Sequence, residues 1–313
     1  MAPVDLSVDF CGIRFKNPFL LSSAEPTMTA SQIQRAAKAG WAGAVVKTIG
    51  PSGWPGGFEG YKHPRPSFFV TSETSCIEKN SIFAFQNVCN IDMLGKTKWV
   101  KSELKAAKES NIPIIVSITA AEPDEWSEMA RIMEEAGADM IEMNVSCPYT
   151  ITELGMGMEV GQDPKRLREA IRAVKDGCSL PVMVKLSPNV TPSILTELAK
   201  TAEVSGADAI SATNTVLGIV GVDIETGIPI PSVEDKGGRL QGIFSGISGP
   251  AIKPISLRCV AQIAQAVKIP ISGIGGISDW RSAVEFIMVG AKTVQLATAV
   301  MVFGYGIIRE LIS

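Results

Sequence analysis

The sequence is short of the residues that most enzymes use for proton and metal chemistry. It has one histidine in 313 residues, His63, set in the turn-rich stretch Lys62-His63-Pro64-Arg65-Pro66, where it reads as a loop residue. Chemistry that needs two or three imidazoles is excluded. Six cysteines occur, Cys11, Cys76, Cys89, Cys147, Cys178 and Cys259, none in a C-x-x-C spacing, so iron–sulfur and zinc motifs are absent and no metal site is expected. Scattered cysteines in a chain of this length point to a reducing, cytoplasmic setting. No stretch of eighteen apolar residues offers a membrane span. The opening MAPVDLSVDFCGIRF has neither the basic-then-apolar order of a secretory signal nor an amphipathic helix for lying on a membrane. A net charge of only −3 leaves no electrostatic footprint for nucleic acid.

What is present is 46% hydrophobic residues, 29 glycines and a regular alternation of apolar runs with helical periods. Candidate strands are Phe19–Ser23, Ala44–Thr48, Ile114–Thr119, Met140–Ser146, Val182–Ser187, Ala209–Thr215, Ile269–Ile274 and Thr293–Ala299. Amphipathic helices lie between most of them; SQIQRAAKAG, EWSEMARIMEEAG, PKRLREAIRAVKDG, SILTELAKTAEVSG and DWRSAVEFIMVG each end on the glycine that stops a helix. Several begin after Thr, Asp or Ser, which can cap free N–H groups. Eight strand–helix units predict a parallel sheet closed into a (β/α)₈ TIM barrel, here as one domain over residues 1–313. SVDFCGIRF reads as a short hairpin plugging the barrel bottom. Two long loops break the rhythm, from Ile49 to about Asp92 after strand 2 and from about Val216 to Pro250 after strand 6. Loops of that length are usually functional, and in a barrel both emerge on the C-terminal face, where active sites form.

Polar residues gather where the strands should finish. The strand ends read Ser22-Ser23-Ala24, Lys47-Thr48, Asn144-Val145-Ser146-Cys147-Pro148, Lys185-Leu186-Ser187-Pro188-Asn189 and Thr213-Asn214-Thr215. Barrel strands are ordinarily apolar, so such a ring reads as a site, and its two lysines call for a polyanion or an electron-rich ring. The later units offer a phosphate cradle: Ser248-Gly249 before helix 6, Gly275-Gly276 after strand 7 and Thr298 at the end of strand 8. Gly155, Gly157 and Gly161 miss the G-x-G-x-x-G spacing by one residue and follow a loop, so a mobile loop is predicted there and no NAD site.

These strand ends, in this order, resemble the dihydroorotate dehydrogenase family. NVSCP (144–148), GMGMEVGQDP (155–164), KLSPNVT (185–191), SATNTV (211–216) and SGPAIKPISL (248–257) look closest to the FMN barrel of dihydropyrimidine dehydrogenases. The resemblance implies FMN over the barrel mouth. Ser22 and Ser23 would contact the flavin or its ribityl chain and Lys47 would lie beside the flavin ring, with Asn144 and Thr213 also at the cofactor. Lys185 would lie near flavin N1 and O2, where an ammonium stabilises the charge gained on reduction. Gly249, Gly275, Gly276 and Thr298 would hold the phosphate, and Asn87, Asn144, Ser146, Asn214 and Thr215 would contact the substrate. Hydride would pass at flavin N5, with Cys147 as general acid/base; a thiol suits this because its ordinary pKa of about 8.5 lies near working pH. The implied reaction is reduction or oxidation of a C–C bond in a small cyclic, uracil- or thymine-like substrate.

The substrate half departs from the family pattern. Dihydroorotate enzymes carry Asn after their Cys-Pro or Ser-Pro pair, where this chain has Tyr149, and their Gly-Leu-Pro-Asn stretch has no match in QNVCNID (86–92). If Asn87 is the loop Asn of the pyrimidine-reducing enzymes, the position of their Glu is Cys89. Without a cluster motif in the chain, a flavin or iron–sulfur partner subunit, or a diffusible acceptor, is expected to exchange electrons with FMN in a homodimer or hetero-oligomer. Three other readings stand beside the leading one: dihydroorotate oxidation, a flavin-free aldolase or isomerase using Lys185 as a Schiff base, and a subunit that kept the barrel and lost the chemistry.

Overall fold

Three strands show why the barrel forms. Ile114–Ile118 (IIVSI), Met140–Asn144 (MIEMN) and Val182–Leu186 (VMVKL) are buried at every position, as parallel strands are when helices cover one face and the barrel interior the other. The computed structural model describes residues 4–51, 69–71, 84–87, 95–148, 155–219, 221–230, 232–234, 240–242 and 244–313. In chain order the strands are β1 (Val8–Phe10), β2 (Ile13–Phe15), β3 (Phe19–Leu21), β4 (Gly43–Val45), β5 (Phe69–Thr71), β6 (Ala84–Asn87), β7 (Ile114–Ile118), β8 (Met140–Asn144) and β9 (Val182–Leu186). They continue with β10 (Ala209–Ala212), β11 (Val216–Gly218), β12 (Gly221–Val222), β13 (Pro229–Ile230), β14 (Ser232–Glu234), β15 (Leu240–Gly242), β16 (Ser245–Ser248), β17 (Ile271–Ile274) and β18 (Ala291–Leu296). The helices are α1 (Ala30–Ala39), α2 (Gly95–Lys98), α3 (Leu104–Lys108), α4 (Pro123–Glu135), α5 (Met158–Gly161), α6 (Pro164–Gly177), α7 (Pro192–Val204), α8 (Lys253–Ala266), α9 (Trp280–Met288), α10 (Thr298–Phe303) and α11 (Ile308–Ile312).

β3, β4, β7, β8, β9, β10, β17 and β18 pair in parallel and close on themselves through β18 and β3, where Val294 pairs with Phe19. This is the (β/α)₈ barrel of the sequence reading, with each predicted strand overlapping an observed one. Caps set the helix starts. Thr29, Asp163, Thr191 and Asp279 each accept an N–H from the first turn of α1, α6, α7 and α9. β1 and β2 form the expected antiparallel hairpin. Phe10 and Phe15 pack there with Leu20, Val45, Ile115, Met140, Met183 and Ala209 from the entry ends of the strands, so the hairpin closes the bottom.

The two long connections do more than loop. β6 from the first pairs with β16 from the second, and with β5 and β11 they make a four-stranded sheet in the order β11-β16-β6-β5. Residues 158–161 form one helical turn, α5, where a loop was expected. Close packing explains it: a Cβ on Gly161 would lie 1.7 Å from the Val145 carbonyl oxygen, so only glycine lets this turn press on the segment after β8. None of the described helices is long and apolar enough to cross a membrane.

Candidate active site

The barrel interior changes character along its axis. Its lower layer is apolar, but above it Ser117, Glu142, Lys185, Ser211, Ser272, Thr293 and Gln295 are buried polar residues on strands. Residues two apart on a strand share a face, so Glu142 and Asn144 on β8 project inward together. A cavity of about 380 Å³ opens above them at the C-terminal end of the strands, within the size range of ligand sites.

At its polar end the side chains hold one another in place. Thr48 Oγ1 pairs with Ser117 Oγ at 2.9 Å and Ser23 Oγ at 3.1 Å, and Asn144 Nδ2 donates to it at 2.9 Å. Asn144 Oδ1 accepts from Ser146 N, from Ser146 Oγ at 3.0 Å and from Asn214 Nδ2 at 3.3 Å; Asn214 Nδ2 also donates to Ser146 Oγ at 2.9 Å. The orientations of both amides are thereby fixed. Two buried lysines line the cavity. Lys47 Nζ donates to Glu25 Oε1 at 3.4 Å, and Lys185 Nζ stands 3.6 Å from Glu142 Oε1. Cys147, also buried, lines the same cavity, and its carbonyl accepts the Met158 N–H from α5.

The opposite end is built from backbone. Gly275 and Gly276 follow β17 with φ of 119° and 78° and lie against the start of α8; a Cβ would fall 2.1 Å from Ser256 Oγ at the first and 2.8 Å from Lys253 N at the second. Gly249 has φ 84° and opens the short turn Pro250–Ile252 into α8. Thr298, the first residue of α10, donates to Ser248 Oγ at 2.9 Å. Side-chain-free backbone at a helix entrance, next to two hydroxyls, suits a phosphate. With two ammonium groups and a ring of amides at the other end, this donor set fits FMN.

Ser22, Ser23, Lys47, Asn144, Cys147, Lys185, Thr213, Asn214, Thr215, Gly249, Gly275, Gly276 and Thr298 all line this one cavity. Ser146, expected as a substrate contact, is instead fully buried and braces the two amides. Asn87 ends β6, where its backbone pairs with Gly246, and its side chain lies outside the described residues, as do His63, Cys76, Cys89 and Tyr149. The sequence reading missed Glu25, Phe85 and Glu142. Glu142 carried a signal, an acid on the same strand face as Asn144; Glu25 carried none, because its partner Lys47 is distant in sequence.

The remaining described thiols do not line this cavity. Burial pushes Cys11 up to about 12, with the Asp208 carboxylate adding to the effect, and burial also raises Cys178 and Cys259.

Known proteins resemble this chain over most of its length. A family model described as dihydroorotate dehydrogenase matches residues 5–313. The NAD-dependent dihydropyrimidine dehydrogenase subunit PreA of Escherichia coli K12 is 37% identical over 324 aligned positions, covering 100% of this chain and 72% of that protein. The catalytic subunit of dihydroorotate dehydrogenase B (NAD(+)) from Pyrococcus abyssi is 37% identical over 306 positions, covering 98% and 91%. Its counterpart from Methanosarcina mazei is 38% identical over 291 positions, covering 92% and 82%.

Proposed function

The chain belongs to the dihydroorotate dehydrogenase family, and from that premise we propose that it is a single-domain, FMN-dependent oxidoreductase of pyrimidine metabolism, moving two hydrogens across a C–C bond of a uracil- or thymine-like ring. The observation that carries the reading is the meeting in one cavity of Lys185, Asn144 and Cys147 with the backbone of Gly275 and Gly276 and the Thr298 hydroxyl. Bound FMN supplies the two-electron hydride exchange that no side chain here can perform.

The protein's own groups do the rest. Gly249, Gly275, Gly276 and Thr298 hold the phosphate; Ser22, Ser23, Lys47 and Thr213 line the cofactor's length. Lys185 would place a positive charge beside the flavin ring, where an ammonium favours the reduced form. Asn144 and Asn214, locked by Ser146 and Thr48, present fixed amides to a ring that carries carbonyl and N–H groups, with Thr215 beside them. Fixed amides reject analogues that leave them unpaired. Cys147 Sγ gives a proton to the substrate carbon in the reducing direction and takes one in the oxidising direction. An electron-transfer partner subunit serves the flavin, as the word subunit in the relatives' names fits.

Dihydroorotate oxidation is the second reading, favoured by relatives of that name at the same 37% identity. An anaerobic screen separates the two. FMN-loaded protein mixed with 5,6-dihydrouracil, dihydrothymine or dihydroorotate is watched for loss of visible flavin absorbance. Bleaching by a dihydropyrimidine alone supports the first reading, bleaching by dihydroorotate the second, and none by any of them contradicts both.

A further inference from the structure

Beneath the cavity floor lies a buried carboxylate that the proposed chemistry does not itself use. Glu142 stands mid-strand on β8 with its side chain 0% exposed, at a level where a barrel ordinarily packs Val, Ile or Leu. A buried ion pair is weak evidence of stabilisation, because well-packed apolar residues do as well or better. The carboxylate therefore calls for another reason. Its two oxygens are divided. Oε2 accepts from Ser211 Oγ at 2.9 Å, which orients the group. Oε1 accepts no hydrogen bond and faces Lys185 Nζ at 3.6 Å. The register fixes this triangle across three adjacent strands: Lys185 pairs with Asn144 on one side and with Ser211 on the other. Lys185 in turn lines the cavity. A lysine has a long, rotatable stem and no fixed donor direction, so a charge held below it decides where its ammonium rests.

We propose that Glu142 is a positioning residue: it holds the Lys185 ammonium at the cavity floor and, through that lysine, sets how strongly the site prefers reduced over oxidised FMN. The proposal rests on the flavin reading above. With the carboxylate present the floor is a neutral pair. Without its charge, the ammonium faces the electron-rich ring uncompensated, and the reduced form gains.

The test measures dissociation constants for oxidised and for chemically reduced FMN, anaerobically, in wild type, Glu142→Gln, Lys185→Met and the double variant. The ratio of the two constants is the site's redox preference. Glu142→Gln is expected to shift it at least tenfold towards reduced FMN when Lys185 is present. In the Lys185→Met background the same change is expected to move it less than threefold. Equal shifts in both backgrounds, or no shift or a reverse shift in the single variant, overturn the proposal. Should Glu142→Gln fail to fold, Glu142→Asp keeps the charge and draws it back by one methylene. A roughly threefold shift confined to the Lys185 background is then expected, and an equal ratio in both backgrounds overturns the idea. Wild type that binds no FMN sinks this proposal together with the flavin reading; wild type that binds FMN while the two changes act independently sinks the role of Glu142 alone.

Discussion

In the proposed mechanism Cys147 and Lys185 divide the chemistry, and each can be removed without touching the other. Cys147→Ala is expected to retain FMN while flavin reduction by substrate slows by about 10²-fold or more, read by anaerobic stopped-flow; an unchanged single-turnover rate would take the thiol out of the mechanism. Lys185→Ala is expected to weaken FMN binding by about tenfold or more, since one charge-assisted contact contributes roughly 1.5–3 kcal/mol; an unchanged dissociation constant would mean that the lysine does not face the ring. At this scale the sequence was informative wherever a polar residue broke an apolar strand at its end, because barrel strands have no structural use for Lys or Asn there. It was silent on Glu25 and on the bracing role of Ser146, because both depend on which rotamer meets which neighbour across the ring.

The elements proposed to hold the phosphate are fixed by backbone chemistry that can be tested on stability as well as binding. Gly276 has φ 78°, and a Cβ would meet Lys253 Cβ at 2.7 Å and Lys253 N at 2.8 Å. Gly276→Ala is therefore expected to cost about 1–3 kcal/mol in urea unfolding and to weaken FMN binding in the same protein; wild-type values for both would contradict the cradle. At α9, Asp279 accepts from Ser282 N at 2.7 Å and from Ser282 Oγ at 2.7 Å. Burial alone would raise this carboxyl, but the hydrogen bonds from Ser282 outweigh it and hold it below its ordinary 3.8. A carboxyl lowered in the folded state stabilises fully above its unfolded value and loses that effect as pH falls through the folded one. Asp279→Ala is thus expected to cost about 1 kcal/mol at neutral pH, with the gap from wild type closing only below 3.8; a gap that is constant with pH would contradict this cap. Such helix starts and glycine stops were legible beforehand because capping is local. The single turn α5 was not, since it depends on contact with the Val145 carbonyl.

For the whole molecule, eight strand–helix periods predicted the closed barrel, and the N-terminal hairpin was recognisable as its plug. The sheet joining the two long connections was invisible in the sequence, because its central pairing brings Gln86 beside Ile247 and no local pattern encodes that distance. This architecture separates stability from chemistry. Phe15 is fully buried in the plug, at the end of the barrel opposite the cavity. Phe15→Ala is expected to cost about 3–5 kcal/mol of stability while leaving the FMN dissociation constant of the folded protein unchanged. A large loss of FMN affinity in that variant would mean that the two ends are coupled.

Everything functional here depends on a flavin occupying the cavity above the polar ring. Titration of FMN into the purified, flavin-stripped chain, followed by quenching of flavin fluorescence, tests this most directly. Saturation at one FMN per chain, with affinity reduced in Lys185→Ala and Gly276→Ala, is the expected result. A chain that leaves the fluorescence unquenched, or binds FMN equally well without that lysine and that glycine, would contradict it.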